Sequence, residues 1–215
     1  MNKIQVYVAN LPGRTARRNS IETEFEGRPE FNVSIVPAIK HPKGAWGLWQ
    51  TFMGILKIEI QSGSPFFIFC EDDHVFTNDY DRNVFIQQID QAQIMKADLL
   101  SGGFSWTQVP IQVTEHLFWV HRFTGTQFLV VFRQFYERIL NSSSNQNYIL
   151  DHRLSELSDN VFMTYPIISI QKEFGYSDAT PYNNEQKGFV DFLFNREREK
   201  FYILNKVKEY YAKLR

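Results

Sequence analysis

A run of five apolar residues without alternation constrains the fold of this chain more than any other feature. Residues 66–70, Phe-Phe-Ile-Phe-Cys, lie between the turn-forming residues 62–65 and the three carboxylates Glu71-Asp72-Asp73. A strand with one face in water alternates apolar and polar residues, whereas a strand covered on both faces is apolar throughout. The run therefore predicts a central strand in a sheet that helices cover on both sides.

The segments before this run alternate between strand and helix patterns. Residues 3–9 and 31–36 predict strands, and residues 15–26 and 45–61 predict helices. In the second helix the apolar residues share one continuous face: Trp49, Phe52, Met53, Leu56 and Ile60. The order strand, helix, strand, helix, strand predicts an α/β fold with a mostly parallel central sheet flanked by helices.

The remainder of the chain continues this pattern. We expect helices at 80–92, 133–140 and 148–157, and strands at 98–101, 117–120, 127–132 and 167–170, the last completing the sheet. A C-terminal helix is expected over about residues 185–214. The chain has 215 residues and no internal repeat or long linker, so we predict a single domain over residues 1–215.

Charge and composition exclude some classes of partner. The net charge of −1 gives no general attraction to nucleic acid, and no nucleic-acid partner is expected. Cys70 is the only cysteine, so no disulfide can form within the chain. The first residues lack a signal-peptide pattern, and no apolar run approaches the roughly 20 residues needed to span a bilayer. We therefore expect a cytoplasmic protein.

The three carboxylates that follow the apolar run are the main candidate site. At the carboxyl end of a buried strand they lie where open α/β sheets bind ligands. A divalent cation would relieve their mutual repulsion, and oxygen ligands suit Mg²⁺ or Mn²⁺. Such an ion would bridge the diphosphate of a nucleotide-sugar and neutralise the leaving group. The alternative is a solvated acidic loop that caps the next helix.

Several short motifs occur in the order found in one family of glycosyltransferases. They are Val8-Ala9-Asn10-Leu11 with Arg14, Arg17 and Arg18; Ala38; Gly44 with Gly47; residues 66–73; Gly125-Thr126-Gln127; Asp151; and Pro166, Gln171 and Ser177-Asp178. Their shared order over about residues 6–178 resembles glycosyltransferase family 25, which includes lipooligosaccharide and collagen galactosyltransferases. One departure is Thr51-Phe52, where the family has a Ser-His pair.

The resemblance implies a GT-A fold and an inverting, metal-dependent hexosyltransferase active in lipopolysaccharide biosynthesis. The implied donor is UDP-galactose or a similar nucleotide-sugar, and the implied acceptor is a glycan or a lipid-linked saccharide. Asp73 is expected to bind Mn²⁺ or Mg²⁺. Glu71 is expected near the ribose or as a second metal donor, and Asp72 is expected to orient either one.

The resemblance also assigns donor-binding and catalytic residues. Asn10 and Leu11 are expected in the donor site. The donor site is further expected to include Arg14, Arg17, Arg18 and Gln127. The alternative for the three arginines is that they are solvated charges on a helix surface. The alternative for Gln127 is that it faces solvent. Asp151 is the candidate base, with helix capping as its alternative, and Asp178 is a weaker candidate.

The last helix combines basic residues with an apolar stripe. Residues 196–215 contain seven basic and three acidic residues, a net charge of +4, and Ile203, Val207, Tyr210 and Leu214 are spaced 4, 3 and 4 apart. Such a helix either packs its stripe on its own domain or contacts the inner face of an anionic membrane as a peripheral protein.

Two other functions remain open at this point. A nucleotidyltransferase or phosphotransferase on a similar sheet would use the same carboxylates, although the chain has no phosphate-binding Gly-rich loop. A non-catalytic nucleotide-sugar-binding relative is suggested by Thr51-Phe52.

Overall fold

The computed structural model describes residues 3–143, 145–175 and 187–214. Within these ranges the strands are β1 (Ile4–Asn10), β2 (Phe31–Pro37), β3 (Phe66–Glu71), β4 (His74–Phe76), β5 (Leu99–Ser101), β6 (Trp106–Gln108), β7 (Ile111–Gln112), β8 (Leu117–Val120), β9 (Arg122–Thr124), β10 (Phe128–Phe132), β11 (Val161–Thr164) and β12 (Ser169–Gln171). The helices are α1 (Thr15–Phe25), α2 (Gly44–Ser62), α3 (Arg82–Ile94), α4 (Arg133–Leu140), α5 (Leu150–Leu157) and α6 (Phe189–Ala212).

Eight of the strands form one central sheet. Their order is β2-β1-β3-β10-β5-β11-β8-β7. Strand β1 is parallel to β2 and β3, and β5 is parallel to β11, whereas β10 and β8 are antiparallel to their neighbours. Six strands therefore point the same way and two point against them. The predicted α/β class, with a mostly parallel central sheet flanked by helices, is confirmed.

Strand β3 is covered on both faces, as its apolar run predicts. Phe67 and Phe69 lie in one apolar cluster with Phe52 of α2, and Ile68 and Cys70 lie in the cluster on the opposite face. All four β3 side chains are fully buried. Burying a large apolar side chain contributes about 1.5–3 kcal/mol, so β3 anchors both layers of the core.

The prediction that residues 167–170 complete the central sheet is wrong. That place belongs to β11, a short apolar strand between β5 and β8. Strand β12 instead pairs with β4 in a separate two-stranded sheet. The reason is a local anchor, because the carbonyl of Gly102 accepts hydrogen bonds from the backbone N–H groups of Ile168 and Ser169. These bonds hold residues 168–169 against Gly102, just beyond the end of β5, so the segment lies outside the central sheet.

The acidic triplet is followed by a strand and not by a helix. Strand β4 begins at His74, directly after Asp73. The next helix, α3, is capped by Asp81, whose side chain accepts from the N–H groups of Asn83 and Val84. The acidic triplet is therefore not a loop that caps the next helix.

No helix among the described residues combines the length and the apolar character needed to cross a bilayer.

Candidate functional site

The carboxylates lie at the sheet edge where β1 and β3 end. These two strands are adjacent and parallel, with Ala9 opposite Glu71, so Asn10 and the acidic triplet leave the sheet side by side. Helix α1 begins at Thr15, a few residues after β1, and brings basic side chains to the same edge. The carboxyl edge of parallel strands is the usual ligand-binding edge of an α/β sheet.

Asp72 is bound on both oxygens by groups of the protein. Asn10 Nδ2 donates to Asp72 Oδ2 at 2.8 Å, and Arg17 Nη1 donates to Oδ1 at 2.9 Å. Arg14 Nη1 lies 3.8 Å from Oδ2. Asp72 is 4% exposed. These contacts fix the loop after β3, and they leave Asp72 little capacity to hold a ligand.

Asp73 keeps one oxygen outside this network. Its Oδ2 accepts from Arg17 Nη1 at 3.0 Å, whereas Oδ1 is buried and has no hydrogen-bond partner among the residues that the structure describes. The backbone carbonyl of Asp73 accepts from the N–H of Lys172 at 2.8 Å. A buried carboxylate oxygen without a donor is energetically unfavourable, and a bound cation would satisfy it.

Arg17 faces the carboxylates. Its side chain is 4% exposed, and Nη1 bridges Asp72 and Asp73. The guanidinium also lies over the ring of Phe174, 4.8 Å from the ring centre. Arg17 therefore supplies positive charge to the acidic cluster from the protein side.

Glu71 lies beside Asp73 and is held by Thr126. Thr126 Oγ1 donates to Glu71 Oε1 at 2.6 Å. Burial raises the pKa of Glu71, and the negative charge of Asp73 raises it further, while the hydrogen bond from Thr126 opposes the rise. Burial also raises the pKa of Asp73, with Arg17 opposing it. Neighbouring acids that resist joint ionisation are typical of sites that bind cations.

The reversed direction of β10 brings Gly125 and Thr126 to this edge. Because β10 is antiparallel to β3 and β5, its beginning lies where those strands end. Asp151, in the first turn of α5, accepts from the N–H of Gly125 at 2.9 Å. Its other oxygen accepts from the N–H of His152 at 2.8 Å. Residues 125–126 thus link Asp151 to Glu71.

Gln127 contacts the cluster through its backbone, because its carbonyl accepts from the N–H of Glu71 at 3.1 Å. Its side chain is fully buried, and its amide donates to the carbonyl of Gly103 at 2.6 Å. Two more of the expected residues, Arg18 and Leu11, have other contacts. Arg18 is exposed and pairs with Glu22 on α1. Leu11 is partly buried in the turn before α1, where its carbonyl accepts from the N–H of Arg14. Asp178 lies outside the described residues.

The donor set for a metal is small. Among the described residues there is no group of three His, Cys, Asp or Glu side chains placed to hold an ion. His74 is buried with its Nδ1 2.8 Å from Ser169 Oγ, and burial lowers its pKa to about 3. Mg²⁺ is commonly held by one or two carboxylates together with substrate phosphates. Asp73 Oδ1 and the neighbouring Glu71 fit a cation of that kind.

Sequence reasoning did not identify two residues of this cluster, Thr126 and Lys172. Thr126 lies inside a recognised motif, but its contact with Glu71 depends on the direction of β10. Lys172 follows β12, its N–H donates to Asp73, and its Nζ donates to Ser20 Oγ at 3.1 Å. No sequence pattern points to Lys172.

The Thr51-Phe52 pair lies inside the core. Thr51 Oγ1 accepts from the N–H of Ile39 at 2.9 Å and donates to the carbonyl of Gly47 at 2.8 Å. Phe52 is fully buried and packs edge-on against Phe69, with ring centres 5.2 Å apart. Thr51 therefore fastens the segment after β2 onto α2, and Phe52 fills the layer beneath β3.

Comparison with known proteins gives structural likeness only. No family model matches the chain, and no curated protein matches it in sequence. The chain is similar to the crystal structure of A197 from STIV, with a TM-score of 0.55 and 9% identity over 80% of this chain and 86% of that one. This likeness shows a shared fold.

Two other solved structures are similar at lower scores. Apo UDP-glucose pyrophosphorylase gives a TM-score of 0.48 and 10% identity, covering 92% of this chain and 82% of that one. A glycosyltransferase involved in the glycosylation of the major capsid of PBCV-1 gives 0.47 and 10%, covering 75% and 81%.

Proposed function

We propose that this protein is a metal-dependent glycosyltransferase of the GT-A type, similar to family 25, with its nucleotide-sugar site at Glu71 and Asp73. The observation that carries the proposal is the buried Oδ1 of Asp73, beyond the carboxyl end of β3, which has no hydrogen-bond partner in the described part of the chain. Both oxygens of Asp72 are hydrogen-bonded, to Asn10 and to Arg17. The other two carboxylates, Glu71 and Asp73, therefore remain as the candidate ligand-binding groups.

Within this proposal each residue has a defined task. Asp73 would hold Mn²⁺ or Mg²⁺, and Glu71 would bind the same ion or the ribose. A bound ion would supply charge stabilisation to the departing nucleoside diphosphate. Arg17 and Asn10 position the acidic loop. Arg14, near Asp72, is our candidate for contact with the donor phosphates.

The acceptor side of the proposed reaction involves Asp151. An inverting transfer needs one base that removes the proton of the attacking hydroxyl. We propose Asp151 for this task, since residues 125–126 hold it close to Glu71. Asp178 is the second candidate. The donor sugar we propose is galactose from UDP-galactose, and the acceptor is a glycan or lipooligosaccharide.

Calorimetric titration tests the donor site. UDP-galactose, UDP-glucose and UDP are each titrated with and without Mn²⁺ into the wild type, Asp73→Asn and the control Asp159→Asn. Asp159 is a suitable control because its side chain is 83% exposed. We expect Mn²⁺-dependent binding that weakens about tenfold or more in Asp73→Asn and stays unchanged in Asp159→Asn. The absence of uridine nucleotide binding with any metal would refute the assignment.

Turnover separates an enzyme from a binding protein. UDP release from UDP-galactose is measured with and without pooled glycan acceptors. Acceptor-dependent release supports the transferase. Metal-dependent binding without release identifies the non-catalytic alternative, which Thr51-Phe52 first suggested. Exchange between a nucleoside triphosphate and a sugar phosphate would instead identify a nucleotidyltransferase.

A further inference from the structure

Helix α6 packs on the domain through an apolar stripe in its first half. Val190, Phe194 and Phe201 are buried on the inner face, together with Glu197. Glu197 accepts a hydrogen bond from Thr107 at 2.7 Å, and Phe201 packs edge-on against Phe118. This half of α6 is an ordinary amphipathic helix with its apolar side inward.

After Phe201 the inner face keeps one apolar contact, Leu204 against the core, and its other contacts are polar. Gln112 donates from Nε2 to Asn205 Oδ1 at 2.9 Å, and Lys208 Nζ donates to the carbonyl of Thr114 at 3.2 Å. Polar contacts to the strand β7 region therefore hold the second half of the helix in place. Leu204 joins this packing, whereas Ile203, Val207, Tyr210 and Leu214 stay exposed.

The outer face of the second half is apolar. Ile203, Val207, Tyr210 and Leu214, here called the outer stripe, are 52%, 49%, 62% and 67% exposed. Their spacing of 4, 3 and 4 places them on one side of the helix. The sequence allowed this stripe to pack on its own domain, but the structure shows it facing outward. An exposed apolar patch of this kind marks an interaction surface.

The charges around the outer stripe are mainly basic. Residues 196–214 contain six basic and three acidic residues, a net charge of +3. Two of the acids are paired within the helix, Glu197 with Arg196 and Lys200, and Glu209 with Lys206. Lys206 and Lys213 are exposed and directly precede Val207 and Leu214 of the stripe.

We propose that the outer stripe of α6 binds the surface of a membrane rich in anionic headgroups. Apolar and tyrosine side chains would enter the headgroup layer while the basic side chains contact lipid phosphates. A second copy of the chain is a poorer occupant, because pairing two such helices would bring like charges together. The proposal concerns attachment and stands whether or not the proposed glycosyl transfer is correct.

This attachment would hold the candidate site near the lipid surface. The carboxylate of Glu173 accepts from the N–H groups of Gly188 and Val190, at 2.7 Å each, and so fixes the start of α6. The neighbouring Lys172 bonds to Asp73 through its N–H. At about 1.5 Å per residue, the outer stripe begins about 20 Å along the helix from this point.

Vesicle co-sedimentation tests the proposal with the full chain. Phosphatidylcholine vesicles with and without phosphatidylglycerol are mixed with the wild type and the double variant Ile203→Ser, Val207→Ser. The control is Ile58→Ser, Ile94→Ser, which removes two isoleucines that are 59% and 81% exposed on other helices. A third variant, Lys206→Gln with Lys213→Gln, removes charge and keeps the stripe. Melting temperatures verify that each variant is folded.

We expect the wild type and the control to bind phosphatidylglycerol vesicles, and to bind less at high salt. The outer-stripe variant should lose about tenfold or more of this affinity, and the charge variant severalfold. Equal binding by the wild type and the outer-stripe variant would overturn the proposal, as would no preference for anionic vesicles. A concentration-dependent dimer that the stripe substitutions abolish, without vesicle binding, would assign the surface to a second copy instead.

Discussion

Arg17 sets the electrostatics of the candidate site at the scale of single residues. Two adjacent carboxylates, Asp72 and Asp73, are held together at a sheet edge by one buried guanidinium. Without a counter-charge, their repulsion and the loss of hydration would destabilise the fold. The Arg17 guanidinium offsets part of this repulsion from the protein side.

Replacing Arg17 by Met should be strongly destabilising. The substitution preserves much of the side-chain volume but removes the guanidinium that pairs with both carboxylates, leaving Asp72 the more distant Arg14. We expect the free energy of unfolding at neutral pH to fall by about 3 kcal/mol. Arg18→Met on the same helix removes only an exposed pair with Glu22 and should cost about 0.5 kcal/mol or less. Chemical denaturation of both variants measures the difference.

The loss in Arg17→Met should shrink as the pH falls. Burial already raises the pKa of Asp73, and Arg17 opposes that rise, so removing Arg17 raises the folded-state pKa further. A raised folded-state pKa favours folding below the ordinary carboxyl pKa of about 4, and this stability is lost as the pH rises through the folded-state value. A deficit that stays constant or grows on acidification would contradict this account.

At the scale of elements, α2 shows how one helix uses two glycines differently. A Cβ on Gly47 would lie 2.3 Å from the carbonyl oxygen of Ile39, so the segment after β2 can approach the helix only because Gly47 has no side chain. A Cβ on Gly54 would meet nothing within 4 Å. The first glycine allows close packing next to the candidate site, and the second is a helix-interior glycine in open space.

The two glycines should therefore respond in opposite directions to alanine. Gly47→Ala should lower the free energy of unfolding by about 2 kcal/mol, since helix or loop must shift. Gly54→Ala should raise it by about 0.5–1 kcal/mol, since alanine favours the helix. Denaturant unfolding of both variants checks the pair. Equal effects of the two substitutions would show that the close contact with Ile39 does not require a glycine at position 47.

The sequence predicted elements with strong periodicity better than short ones. Helix α2 was expected at 45–61 and spans Gly44–Ser62, because its apolar face and the stop at residues 63–65 are local signals. Strand β11 was missed because three apolar residues and a threonine, separated by three residues from a short helix, are too few to show a period. Strand β12 was assigned to the wrong sheet because its partner is chosen by contacts with Gly102.

The candidate site was predictable in location but not in its internal pairing. A buried strand that ends in carboxylates predicts the sheet edge, and the structure places Asn10, Arg14 and Arg17 there. That Arg17 points to Asp72, and that Thr126 holds Glu71, depends on side-chain orientation across long sequence separations. Local patterns contain no information about such contacts.

At the scale of the whole molecule, the strand order assembles the candidate site from distant parts of the chain. Asn10 and Asp72 are 62 positions apart, and Thr126 and Glu71 are 55 apart, yet each pair is hydrogen-bonded. The antiparallel strand β10 between β3 and β5 makes the second pair possible, because its start meets their ends. A wholly parallel sheet would place residues 125–126 at the opposite edge.

A crystal structure of the protein with UDP and Mn²⁺, using the anomalous signal of manganese, tests the central claim most directly. We predict one manganese ion at about 2 Å from Asp73 Oδ1, next to Glu71, with the UDP diphosphate on the ion and Arg17 still paired with Asp72. UDP and manganese bound at another surface, or UDP bound with no metal near Asp73 and Glu71, would contradict the proposed nucleotide-sugar site.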